Sequence, residues 1–240
     1  MPTERRRRQP FAAPRHAVSV IGLVAGVLVL GLAVPRTIAA LQLLPGDPVL
    51  ESVRSAKAVS GEELQALIAS REDALGWLPS RRIQADLALA HLELAKRQGY
   101  GGETGGRHLG ESLRALRAGL SLSPADPYAW ARLAFVRIKN GGSAAAVKKA
   151  LFLSFLTGPY EKRLAISRIQ YAVLLWYQLD ADERSLVLNQ ISWADRTGKR
   201  RALAQMAKRH RKADAIIFLA VARDPKRLRG YLQTLRSLKK

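Results

Sequence analysis

The chain has no cysteine among its 240 residues. Disulfides, thiol nucleophiles and cysteine-based zinc sites are therefore excluded. Aromatic residues are sparse, at 6%, so few flat platforms exist for stacking successive bases. Acidic residues are scarce as well: 19 Asp and Glu stand against 40 Lys and Arg, for a formal net charge of +21. The four histidines are His16, His91, His108 and His210, and none is spaced i, i+4 from another. No H-E-x-x-H metal helix and no G-x-S-x-G nucleophile elbow occurs. Many of the carboxylates sit where helix starts favour them: Asp126, Asp180, Asp182 and Asp224. No catalytic residue, metal site or cofactor is expected on these grounds. Two carboxylates that converge only in space would escape such a search.

One glycine-rich stretch invites a nucleotide reading. Gly101 and Gly106 have the spacing of a phosphate loop. Arg107 replaces its lysine, His108 replaces its hydroxyl residue, and a helix precedes it where a strand belongs. Tyr100 to His108 is expected to be an inter-helix loop instead. His91, on an apolar helix face, is read as a satisfied core residue.

What the sequence does have is one long apolar run, Ala17 to Val34, without a charge and with Ser19 as its only polar side chain. A bilayer core about 30 Å thick takes about 20 apolar residues as a helix, which satisfies its own backbone groups in lipid. The run is longer than the apolar part of a signal peptide. A cut after Ala40 would put Ile38 where a small residue is favoured. An uncleaved anchor over 17–35 is therefore expected, after a basic tail over 1–16. Arg5, Arg6, Arg7, Arg8 and Arg15 precede the run, while only Arg36 follows it closely. The positive-inside rule then keeps the N-terminus in the cytoplasm and sends the remainder across.

Residues 36–59 read as a linker with a short helix, marked by Pro45, Gly46, Asp47 and Pro48. From 60 to 240 apolar residues recur at helical spacing, with almost no strand signal, so an all-α domain is expected. Ser60 with Glu63 forms a capping box, and Ser80, Asp126, Ser143, Asp180 and Asp224 open further helices. Helices are expected over 109–122, over 161–178 and over 199–210. The apolar run Ala213 to Ala222, with Phe218, is expected to be buried.

The junction Leu120-Ser-Leu-Ser-Pro124-Ala-Asp126-Pro127-Tyr-Ala-Trp130 is the most informative stretch. With Leu133, Ala134, Ala146 and Ala150 it resembles the tetratricopeptide repeat, in which a Trp, a small residue in each helix and a closing Pro recur over 34 residues. Arg137 departs from that pattern, standing where an aromatic belongs. The resemblance implies a TPR-like solenoid of helical hairpins whose core includes Pro124, Trp130, Leu133, Ala134, Ala146 and Ala150. It also implies a surface that receives protein segments. With the N-terminal anchor and the Leu156-Thr-Gly-Pro-Tyr-Glu161 segment, the chain further resembles membrane-anchored VpsP-type proteins of exopolysaccharide gene clusters. That implies assistance to polysaccharide synthesis or export.

The last fifth concentrates charge. From Arg196 onward fifteen basic residues face only Asp214 and Asp224. Arg200, Arg201, Lys208 and Arg209, then Arg211 and Lys212, then Lys226, Arg227 and Arg229 are candidate anion- or partner-binding residues. The expected function is a non-enzymatic scaffold of the bacterial envelope, with envelope proteins and acidic polysaccharide or anionic lipid as partners. Two other classes remain open. One is a helical enzyme acting on glycan strands through a carboxylate cleft. The other, disfavoured by the expected topology, is a nucleic-acid binder on the cytoplasmic side.

Overall fold

A computed structural model describes residues 15–238. Arginines 5–8 of the expected basic tail, and Lys239 and Lys240, lie outside the described residues. The described chain is helical throughout, with no strand. Helix α1 is Arg15–Leu43, followed by α2 (Asp47–Arg54), α3 (Gly61–Trp77), α4 (Arg81–Gln98), α5 (Glu103–Leu122) and α6 (Pro127–Lys139). Then come α7 (Ala144–Thr157), α8 (Ala165–Leu175), α9 (Ala181–Ala194), α10 (Arg200–Arg209), α11 (Arg211–Val221) and α12 (Pro225–Ser237).

Helix α1 is long and apolar enough to cross a membrane, and its side chains from Ser19 to Val34 are all exposed. It does not stop at Pro35, as the anchor boundary at 35 implied, but runs on to Leu43. Pro35 removes the one backbone donor that would reach Gly31 O, a break that helices in lipid tolerate. Arg36 Nη1 donates to Leu32 O at 2.6 Å, and Thr37 Oγ1 donates to Ala33 O at 3.1 Å. The last two turns of α1 belong to the folded domain. Ala39 is buried against Ala74 and Ile83. Ser70 Oγ donates to Gln42 O at 2.8 Å, and Arg71 Nη1 donates to Leu43 O at 2.8 Å. Gly46 passes so close to α3 that a Cβ there would stand 2.7 Å from Arg71 Nη1 and 2.9 Å from Leu67 Cδ1. The first half of the expected 36–59 linker is thus a joint between the apolar part of α1 and the helical domain.

Consecutive helices then pack on one another, with α4 against α5 and α6 against α7 as the most extensive pairs. The expected caps form at Ser60, Asp126, Ser143, Asp180 and Asp224. Ser80 takes the extended conformation of a cap but accepts no helix N–H through its side chain. The expected loop over 100–108 shortens, because α5 begins at Glu103. Gly99 turns the chain at φ 81°, and Gly105 lies directly on its carbonyl, where a Cβ would clash at 2.0 Å. The expected helix over 161–178 shrinks to α8. Glu161 instead accepts from Tyr128 Oη at 2.7 Å, and its carbonyl closes a turn at Leu164.

After α9 the contacts between non-neighbouring helices become more extensive. Helix α11 packs on α9 and α10, and α12 packs on α10 and α11. A kink with Gly198 at φ 87° separates α9 from α10. On α11, Ile216, Ile217, Ala220 and Val221 are buried, but Phe218 is 45% exposed, contrary to the expected burial. Helical periodicity turns Phe218 and Leu219 away from the core.

Candidate anion-binding cleft

The junction between α5 and α6 builds the most distinctive surface feature. Pro124 follows the end of α5. Asp126 Oδ1 then accepts from Tyr128 N at 2.9 Å and Ala129 N at 3.1 Å, and Pro127 occupies the first turn, where no donor is needed. This start fixes the register of α6. One turn on, Trp130 Nε1 donates back to Pro124 O at 2.7 Å, so the indole plane is tied to the loop that precedes it. Leu120 and Leu133 are buried beneath.

Around this indole opens a cleft of about 420 Å³ lined by Arg117, Leu120, Ser121, Pro124, Trp130, Leu133, Arg137 and Lys149. Its three cations come from three helices: Arg117 from α5, Arg137 from α6 and Lys149 from α7. Arg137 lies two turns beyond Trp130, on the same face of α6. No carboxylate lines the cleft. Arg137 is half-buried and spends Nη1 on Ala146 O at 2.6 Å. Burial and the nearby Arg117 charge both push its pKa down. The three cations thus pair with no carboxylate among the described residues, and an anion in the cleft would supply a counter-charge.

The residues expected to form the repeat core divide. Leu133, Ala134 and Ala150 are buried, whereas Trp130 and Ala146 are half-buried and Pro124 is exposed. Trp130 packs against the hydrophobic core and, with the exposed Pro124, also forms a wall of the cleft. The junction turns outward there because the Trp130 N–H satisfies the Pro124 carbonyl at the surface.

The nine basic residues expected to form an end face differ in their surroundings. Arg200 is occupied: it grips the buried Asp195 with two bonds of 2.6 and 2.9 Å. That partner raises its pKa, and Gly230 packs directly on its guanidinium. Arg227 pairs with Asp224 at 3.2 Å, and Lys208 donates to Leu238 O at 2.6 Å. Lys212 stands 4.2 Å over the Tyr177 ring. Arg201, Arg209, Arg211, Lys226 and Arg229 are exposed on three different helices. Arg209 and Lys212 border adjoining grooves between α8 and the α10–α11 corner, where Val173, Leu174 and Met206 form an apolar floor. Arg229 lies elsewhere, beside Leu232 and Arg236 of α12.

Three further features were invisible to local sequence reasoning. His91 and His108 meet with Nδ1 atoms 3.1 Å apart, one donating and the other accepting. Arg168 is fully buried, and so, nearly, is Arg71. The buried acids Asp86 and Asp195 are each held by an arginine, Arg54 at 2.7 Å and Arg200 at 2.6 Å. Desolvation pushes the Asp86 carboxyl up despite its cationic neighbours. No group of three or more His, Asp or Glu that could hold a metal ion occurs among the described residues. No protein-family model matches the chain, and no curated protein matches it.

Proposed function

We propose that this chain is a single-pass bacterial inner-membrane protein that acts as a non-enzymatic scaffold for envelope-polymer synthesis or export. Its N-terminus lies in the cytoplasm and its helical domain on the far side of the membrane. The domain is a TPR-like stack of hairpins, as its resemblance to TPR repeats and to VpsP-type proteins suggests. The observation that carries this reading is the joint between anchor and domain. The exposed apolar stretch of α1 passes without a break into two turns that bury Ala39 and bind Ser70 and Arg71. A signal peptide cut after Ala40 would remove Ala39 from beside Ala74 and Ile83, so the joint favours a retained anchor. A domain fixed to its anchor in this way is held at a set attitude to the membrane, which suits a scaffold that positions partners. The paired packing of α4 with α5 and α6 with α7 supports the hairpin stack.

The test is a pair of fusions after Lys240, one to a phosphatase active only outside the cytoplasm and one to a fluorescent protein that matures only inside it. Phosphatase activity without fluorescence is expected, on a chain whose mass still includes α1. Fluorescence without phosphatase activity would overturn the topology and make nucleic acid or a cytoplasmic protein the leading partner.

A further inference from the structure

We propose that the cleft beside Trp130 binds an acidic sugar unit of an anionic glycan, with Arg117, Arg137 and Lys149 holding its carboxylate and Trp130 receiving its ring. The inference rests on the topology proposed above, which places the cleft where glycans are found.

Charge is the first argument. Three cations from three helices face one cleft with no lining carboxylate, and one of them is half-buried. Elsewhere Arg71, Lys148 and Arg200 are matched to an Asp or Glu, while Arg132, Arg168 and Arg184 are held by neutral acceptors. Arg137 is matched only to a backbone carbonyl. What sets Arg137 apart is that two further cations share its cleft. Guanidinium groups favour planar, two-oxygen partners, and a carboxylate is such a partner.

Size and shape come next. A volume of about 420 Å³ is far more than a lone inorganic anion fills and falls within the range of small-ligand sites. The bond from Trp130 Nε1 to Pro124 O fixes the indole before any ligand arrives, which lowers the ordering cost of binding. An indole face packs against the C–H face of a pyranose and leaves the sugar hydroxyls to water. A single aromatic platform suits one ring of a passing polymer. Single-stranded nucleic acid uses aromatic side chains for successive bases, and this cleft has only one.

The test uses the full chain in detergent micelles, titrated by calorimetry with a short oligogalacturonate. Its neutral methyl ester and an oligothymidylate of matched charge serve as comparisons. The acidic saccharide is expected to bind, and the ester and the oligonucleotide to bind at least about tenfold more weakly. Arg117→Gln and Lys149→Gln are each expected to weaken binding about tenfold, the scale of one hydrogen bond to a charged group. Both side chains are exposed and tie no helix to another, so thermal melting should stay unchanged. Arg209→Gln, at the α8–α10 groove, should leave binding unaltered. Trp130→Leu should weaken binding further; should it also lower the melting temperature, the two charge variants decide. Absent binding, equal binding of oligothymidylate, or full binding by both charge variants would overturn the assignment. The fusions report topology in cells and calorimetry reports the cleft in the purified chain, so either can fail without the other.

Discussion

Arg71 at the joint between α1 and the helical domain and Arg168 at the junction of α7 and α8 perform the same local task in opposite surroundings. Each is 1% exposed or less, and each reaches the C-terminal carbonyls of a neighbouring helix. Arg71 donates to Leu43 O at the end of α1. Arg168 donates to Ser154 O at 2.6 Å, Gly158 O at 2.7 Å and Ser154 Oγ at 2.8 Å at the end of α7. Such carbonyls lack partners within their own helix and form the negative end of its dipole. Around Arg71 there are acids: Asp47 at 2.6 Å and Asp86 at 4.0 Å. Arg168 forms no ion pair and lies over the Phe155 ring at 5.3 Å. Burial pushes its pKa down to about 10. The α1 joint neutralises its buried charge with carboxylates, while the α7–α8 junction relies on backbone dipoles and an aromatic face.

The largest effect that tests this contrast is expected at the joint. Arg71→Met removes the cap on Leu43 O and one of the cations around the buried Asp86, which keeps its ion pair with Arg54. A buried pair broken on one side costs about 3–5 kcal/mol. The measurement is denaturant unfolding of the full chain in micelles, together with protease cutting between Leu43 and Asp47, which should become accessible. A loss below about 1 kcal/mol would mean that the joint does not depend on this charge.

Arg168→Met is expected to cost less, about 2–4 kcal/mol. It leaves the Ser154 and Gly158 carbonyls unpaired, but it strands no carboxylate and removes the desolvation of a guanidinium. The same unfolding experiment compares the two variants directly. A cost equal to or above that of Arg71→Met would break the contrast, because the carboxylates at the joint would then add nothing.

The sequence carried half of this picture. Helix starts were legible because capping is local: Ser60 with Glu63, and Asp126, Ser143, Asp180 and Asp224, each bond within their own turn. The apolar run of α1 was legible for the same reason, though its end was not. Ala39 and Leu43 are held by residues between 70 and 83, and no local signal marks that. Buried arginines were missed because arginine is normally a surface residue, and the bonds that bury Arg71 and Arg168 span 10 to 28 positions. The charge run after Arg196 misled in the other direction, since net charge does not reveal that Arg200 is already consumed by Asp195. One signal for the cleft was present. Arg137 stands where the repeat pattern asks for an aromatic, and this departure puts a guanidinium beside Trp130.

The histidine pair extends the contrast to pH. His91 is buried between α4 and α5 against His108. Desolvation first, then the neighbouring His108, lowers the His91 pKa from 6.5 to about 4, and Glu111 offsets this only in part. His108 is also lowered, by burial and by Arg107. Between pH 4 and 6.5 the unfolded chain therefore binds more protons at these sites than the folded one, so stability must fall as the solution is acidified through that window. The contribution is fully present above about pH 6.5 and lost by about pH 4. Asp86 acts with the opposite sign. Its raised pKa favours the folded state when protonated, a contribution present below its ordinary value of 3.8 and lost as pH rises through the raised one. Subtracting the stability of His91→Gln from that of the parent chain cancels the Asp86 part and isolates the pair. That difference should shrink by about 1–3 kcal/mol between pH 6.5 and 4, read from thermal melts in micelles. A difference that stays flat across this window would show that water reaches the pair and that desolvation does not hold His91 neutral.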